Sequence, residues 1–163
     1  MPARGTTALI QDTVWAIDPL KDDRWPELIA RQPHASVFHR CGWLEALRTT
    51  HDYEPVAFTT SASTERQTNA SLFCLVRSWL TGSRLVCLPF SDHCELLVEH
   101  ADQFRNLCGY VESLRKVERW NYVQIRSSNS LSGLDSDFSP ATTYQLHRLD
   151  LRLSLHVVLA GDQ

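Results

Sequence analysis

Residues 71–80 and 84–88 are two strand-like runs separated only by Thr81-Gly82-Ser83, and that spacing constrains the fold more than any other feature of the chain. A three-residue connection containing glycine closes a β-hairpin, so the two runs pair antiparallel. A third run, 55–60, leads in across a polar turn, 61–69, that holds no apolar residue larger than alanine. Three strands joined this way form an antiparallel meander. Parallel strands would need longer crossovers between them. Pro89 has no N–H for a ladder, so the last of the three strands ends or splays there.

The flanking segments supply helices. Residues 13–17 read as a first strand, after which Asp18 offers an N-cap. Trp25, Leu28 and Ile29 then recur at helical spacing, with Pro26 tolerated in the first turn and Pro33 closing the helix. Residues 39–50 predict a second helix with Trp43, Leu44 and Leu47 on one face. The strongest helix is 101–119, whose stripe of Phe104, Leu107, Cys108, Val111 and Leu114 faces away from Arg105, Glu112, Arg115 and Lys116. Phe104, Leu107, Val111 and Leu114 are expected to pack on the sheet. Residues 122–126 read as a strand, 127–140 as a loop and 143–153 as a final strand.

This order predicts an α+β domain, layered, with a central, mainly antiparallel mixed sheet flanked by helices. It is expected to span 13–153, between a flexible N-terminus, 1–12, and a C-terminal tail, 154–163. At 163 residues such a domain buries roughly two-thirds of its unfolded surface, enough for a core without staples.

Composition narrows the partners. A net charge of -3 and a pI near 6.1 leave no basic footprint for DNA. Only Lys21 and Lys116 are lysines; arginine suits phosphate and carboxylate recognition, although compositional bias produces the same excess. The five cysteines are odd in number and form no Cys-x-x-Cys pair, so neither a disulfide framework nor a zinc site is signalled. The first residues lack the apolar stretch of a secretory signal. No apolar run approaches the ~20 residues of a transmembrane segment. A reducing, cytoplasmic location is the expectation.

The densest chemistry lies in Leu88-Pro89-Phe90-Ser91-Asp92-His93-Cys94-Glu95, between a strand and the long helix. Neighbours on an extended chain point to opposite sides, so at most two of its four consecutive ligand types could reach one metal ion; no metal is expected. Cys94 or Ser91 beside His93 has the residue types of an activated nucleophile, but sequence neighbours rarely bring their reactive atoms together. No Gly-x-Gly-x-x-Gly or Walker A run provides a phosphate cradle. Tyr122, Gln124 and Arg126 share one strand face, and His147 lies on the last strand. If these strands neighbour the loop they form a polar cleft with it; the alternative is a solvated sheet face.

Several of these segments, in order, resemble the N-terminal half of FemAB-like proteins, bacterial acyl- and aminoacyl-transferases built from GNAT-type (N-acetyltransferase-like) domains. The resemblance runs through Phe38-His-Arg-Cys-Gly-Trp43-Leu-Glu-Ala-Leu47, Tyr53-Glu-Pro55 and Leu80-Thr-Gly-Ser-Arg84-Leu-Val. It continues in Leu88-Pro-Phe-Ser-Asp-His-Cys-Glu95, Val123-Gln-Ile-Arg126 and His147-Arg-Leu-Asp-Leu151. It covers residues 15–151, and the Pro-Phe-Ser-Asp segment is its most specific part.

The resemblance implies a GNAT-like fold and acyl transfer to a substrate amine or hydroxyl. It implies that Asp92 and His93 are catalytic, positioning the acceptor or taking its proton together with Ser91. Phe38 and Trp43 would wall the cleft, Arg126 would hold an anionic group, and Phe90, Ser91 and His147 would join them in binding substrate. The donor implied for a complete enzyme is acyl-CoA or aminoacyl-tRNA; the acceptor is a small molecule or cell-envelope precursor. Such proteins carry a second GNAT-like domain after the Leu-Asp-Leu strand, so this chain is expected to be a half that is weakly active or inactive alone. Its partner would be that domain or a second copy in a homodimer. The other reading is a non-catalytic binding or interaction module that keeps the fold.

Overall fold

Alternation places both faces of β3, Ser71–Ser78, against apolar neighbours, and the strand is almost wholly buried as a result. The computed structural model describes residues 13–91, 93–127, 138–139 and 141–142. Within them β1 (Trp15–Ile17), β2 (Glu54–Thr59), β3, β4 (Gly82–Val86) and β5 (Val123–Gln124) form one sheet in the order β1-β2-β3-β4-β5. The first four pair antiparallel; β4 and β5 are parallel. Three α-helices accompany them: α1 (Trp25–Arg31), α2 (Cys41–His51) and α3 (Ala101–Glu118). The chain is thus an α+β fold with a mixed, mainly antiparallel sheet. The expected strand at 143–153 lies outside the described residues, as does nearly all of the expected loop at 127–140.

The register sorts the sheet's two faces. Phe58 opposite Ser71, and Val56 opposite Phe73, put Phe58 and Phe73 on one face. Tyr110 of α3 packs there, its ring centroid 5.7 Å from that of Phe58. Leu107 and Val111 are buried beside it and Leu114 packs at the margin, whereas Phe104 is only half-buried. The other face carries Ala57, Leu72, Cys74 and Val76, all buried. A second face so completely covered requires a second layer, and α1 and α2 contribute Trp25, Leu28, Leu44 and Leu47 to the same core.

Two boundaries differ from expectation for local reasons. Asp18 does not cap α1: its carboxylate accepts from Leu20 N–H at 3.0 Å, closing a turn around Pro19. The helix starts only after a second such turn, where Asp22 accepts from Arg24 N–H at 3.0 Å. The hairpin also turns two residues early. Ser78 pairs with Gly82, so Trp79-Leu80-Thr81 is the tip, and Gly82 takes φ +74°, a conformation that glycine adopts without strain.

Side chains of the two residues that flank α1 fasten the polar β2–β3 connection. Arg24 Nη1 donates to the carbonyls of Ala62 (2.7 Å) and Glu65 (3.0 Å), and Gln32 Nε2 donates to Thr68 O at 3.1 Å. Asn69 Oδ1 accepts from Thr60 N–H at 3.0 Å. Thr60, Ser61, Thr68 and Asn69 bond one another within the connection, whereas the buried Gln67 side-chain amide has no hydrogen-bond partner among the described residues. Gln67 and Asn69 are buried within it.

Candidate functional site

The parallel pair β4/β5 continues past its last ladder residues and then opens. Cys87 N–H donates to Gln124 O at 2.8 Å, and Cys94 N–H donates to Arg126 O at 2.8 Å. Between those bonds one side contributes only Ile125 and the other the six residues 88–93. The excess length must leave the sheet as a loop held closed at its base. Pro89 enforces this, since it cannot donate to the partner strand.

The loop begins with a tight turn. Ser91 N–H and Oγ–H both donate to Leu88 O, at 3.3 and 2.7 Å. Pro89 holds the second position of the turn, which it favours. Phe90 holds the third at φ +64°, where glycine or asparagine is usual. A bulky residue at positive φ costs about 1–2 kcal/mol and persists only if its surroundings hold it there. Those surroundings are aromatic: the Phe90 ring is 4.7 Å from His51 and 6.3 Å from Tyr53, and His51 is 5.4 Å from Tyr53. His51 ends α2 and Tyr53 leads into β2, so three elements meet at this stack. Phe90 remains 61% exposed.

Beneath the loop lies His39, which is completely buried. Ser36 N–H donates to its Nδ1 at 3.1 Å. Nδ1 is therefore the acceptor, and the proton sits on Nε2, which donates to Glu95 O at 3.1 Å. Cys94 Sγ is 3.6 Å from the same Nε2. Burial holds the His39 pKa below its ordinary 6.5, outweighing the Glu95 carbonyl, which acts the other way. The imidazole is a neutral fastener between the turn at Val37–His39 and the far side of the loop. The Cys94 thiol is pushed up by its contact with Cys87 and by burial. A thiol so placed is a poor nucleophile.

The sequence-predicted residues divide into groups. Ser91 and Arg126 come together, with Arg126 Nη1 donating to Ser91 O at 3.0 Å and Nη2 reaching Gln124 Oε1 at 3.3 Å. Phe38 and Trp43 come together in an edge-to-face pair at 5.2 Å. Trp43 Nε1 and His93 Nδ1 are buried atoms without a hydrogen-bond partner among the described residues, and such groups call for a ligand, a water or a function. Asp92 and His147 lie outside the described residues. Among the described residues no three His, Cys, Asp or Glu side chains converge as a metal-binding group, and all five cysteines are free thiols. No described helix is long and apolar enough to cross a membrane. An open hollow of about 450 Å³ at the β1–α1 junction, lined by Asp18, Asp22 and Arg24 among others, includes none of the predicted residues.

Sequence reasoning missed His39, His51 and Tyr53 as parts of this region. His39 had no readable signal, because its partner is 56 positions away. His51-Asp-Tyr53 did carry one: two aromatic rings beside a helix-ending residue, Asp52, at φ 54°.

No protein-family model matches the chain, and no curated protein matches it. Among solved structures, a ribosomal-protein-alanine N-acetyltransferase from Brucella melitensis biovar Abortus 2308 aligns with 83% of this chain and 99% of its own, at 10% identity and a TM-score of 0.49. A structure described as a probable acetyltransferase aligns with 85% of this chain and 97% of its own, at 10% identity and a TM-score of 0.42. Likenesses at this level establish neither family nor activity for the chain.

Proposed function

We propose that the chain is an N-acyltransferase-type domain, similar to the N-terminal half of FemAB-like proteins, with its acceptor site at the loop 88–93. The observation that carries this reading is the opening of the β4/β5 pair, with the buried Nδ1 of His93, which has no hydrogen-bond partner among the described residues, at its edge. Parallel strands joined by a crossover helix bind ligands outside their carboxyl ends, and both the loop and Arg126 occupy that position. The sequence resemblance agrees with this placement and with the GNAT-like order of strands and helices.

In the proposed reaction the acceptor amine attacks the carbonyl carbon of the acyl donor. The new C–N bond forms and the C–S bond of a thioester, or the C–O bond of an aminoacyl ester, breaks. The amine's proton passes to His93 or Asp92, and the leaving thiolate or alkoxide takes one up. A general base must lie within hydrogen-bond reach of the proton it removes, a role open to His93 Nδ1 because no group among the described residues bonds it. Phe38, Trp43 and Phe90 supply apolar walls, and Arg126 supplies positive charge. The resemblance also assigns a partner, a second GNAT-like domain or a second copy of the chain.

A second reading, a binding module without chemistry, has its own support. The Ser91 hydroxyl and the Arg126 guanidinium are already bonded within the protein. One experiment separates the two. The chain is incubated with acyl-CoA donors or aminoacyl-tRNA and a panel of amines, and acyl products are followed by mass spectrometry. Acyl transfer that falls about 10²-fold or more in His93→Ala supports the enzyme. Saturable donor binding with no product from any pair would leave the binding module.

A further inference from the structure

The β3–β4 hairpin ends in a tip that the fold does not use for its own core. Trp79 is 95% exposed and Leu80 75% exposed. Yet the tip is braced. Asn121 Nδ2 donates to Thr81 O at 2.6 Å, Asn121 N–H to Ser83 O at 2.8 Å, Thr81 N–H to Ser78 Oγ at 3.2 Å and Arg84 Nη1 to Thr81 Oγ1 at 3.0 Å. The last turn of α3 carries exposed Val117, and the turn after it, which supplies Asn121, continues into half-exposed Tyr122. Two large apolar side chains held outward on a bonded tip contribute nothing to folding, and scattered exposure does not account for the bracing.

The geometry points to this tip as a membrane-surface anchor that inserts Trp79 and Leu80 into the headgroup region of an anionic bilayer. Three observations favour lipid over protein. The apolar surface is small: an aromatic side chain covers roughly 150–250 Å², so Trp79 and Leu80 fall short of the roughly 800 Å² per partner of a stable protein interface. Tryptophan and tyrosine are the residues that settle at a membrane–water boundary. The charge around the tip is also of the right sign. Arg84 bonds the tip itself, and Arg77 on β3 with Arg115, Lys116 and Arg119 at the end of α3 stand against Glu54, which pairs with Arg77, Glu112, which pairs with Arg115 and Lys116, and Glu118, an excess of positive charge on a chain whose net charge is -3. A short apolar insertion binds weakly alone and needs this second, electrostatic contribution.

The test is sedimentation of the full chain with vesicles of phosphatidylcholine alone or mixed with phosphatidylglycerol, at low and high salt. The anchor predicts binding to the anionic vesicles that is weakened by salt and by omission of phosphatidylglycerol. The double variant Trp79→Ala/Leu80→Ser should lower the partition coefficient about tenfold or more, with an unchanged melting temperature because neither side chain packs in the core. As an independent reading, brominated lipid should quench tryptophan fluorescence in the wild type more than in Trp79→Phe. Absence of vesicle binding, or binding that the double variant retains, overturns the proposal. Concentration-dependent self-association that the double variant abolishes, without vesicle binding, also overturns it and makes the tip a protein interface.

Discussion

His39 Nε2 lies 3.1 Å from the carbonyl oxygen of Glu95, joining the turn that precedes α2 to the segment that returns from the loop. The two residues are far apart in sequence, and the bond bridges the layer containing α2 and the edge of the β4/β5 opening. The loop's base is therefore fixed from below by one imidazole as well as from the side by β5.

Replacing His39 with alanine leaves Ser36 N–H and Glu95 O without their side-chain partner and opens a cavity. A loss of about 2–4 kcal/mol in denaturant unfolding is expected. The pH dependence has a definite sign. Burial holds the folded pKa below 6.5, so the unfolded chain binds the proton first. The contribution of His39 to stability is complete above pH 6.5 and declines as the pH falls through that value. Urea midpoints at pH 7.5 and 5.5 should show this decline in the wild type and a smaller one in His39→Asn.

Phe90 reverses the usual ranking of alanine and glycine. At φ +64° glycine avoids strain that any L side chain carries, so Phe90→Gly should be more stable than Phe90→Ala by about 1 kcal/mol. Both lose the contacts with His51 and Tyr53 equally, and the difference isolates the backbone. Equal midpoints for the two variants would contradict the turn geometry.

Much of the fold was legible because its signals are local. The hairpin, the apolar stripe of α3 and the early helices follow from spacing within a few residues, and α3 begins at Ala101 as its pattern predicts. Phe104 fits the stripe by spacing but lies one turn N-terminal to Leu107, which reaches the core, and stays half-buried. The site was legible as a segment and not as an arrangement. Residues 88–95 stood out by composition, but pairings such as Arg126 with Ser91 depend on which strand becomes the neighbour of β4. The left-handed conformation of Phe90 had no signal at all, because sequence places glycine or asparagine there.

The stripe of α3 makes a contrast that mutagenesis can read. Leu107 is fully buried, and Leu107→Ala should cost about 2–5 kcal/mol through lost burial and a residual cavity. Phe104→Ala should cost well under half as much, although it removes the larger side chain.

Thiol chemistry reports the same core. Burial pushes Cys74 and Cys108 up to about 12, leaving almost no thiolate at pH 8. Both should resist iodoacetamide in the native protein and become labelled only on unfolding, as read by mass spectrometry of the modified peptides. Rapid native labelling of either would mean that the layers open locally.

Gly82 combines two constraints that a double-mutant cycle can separate. Its φ of +74° disfavours alanine, and a Cβ there would sit 2.8 Å from Asn121 Nδ2 and 3.2 Å from its Oδ1. That amide donates to Thr81 O, so it cannot retreat without losing the bond that braces the hairpin tip. Gly82→Ala should therefore cost about 1–3 kcal/mol, from backbone strain together with the displaced hydrogen bond. Asn121→Ala alone should cost about 0.5–1.5 kcal/mol for the lost bond. In the Asn121→Ala background the steric conflict is gone and the bond already absent, so adding Gly82→Ala should cost only the strain. The two single costs should then exceed the double by about 0.5–1.5 kcal/mol. Strict additivity would show that Asn121 does not bear on Gly82.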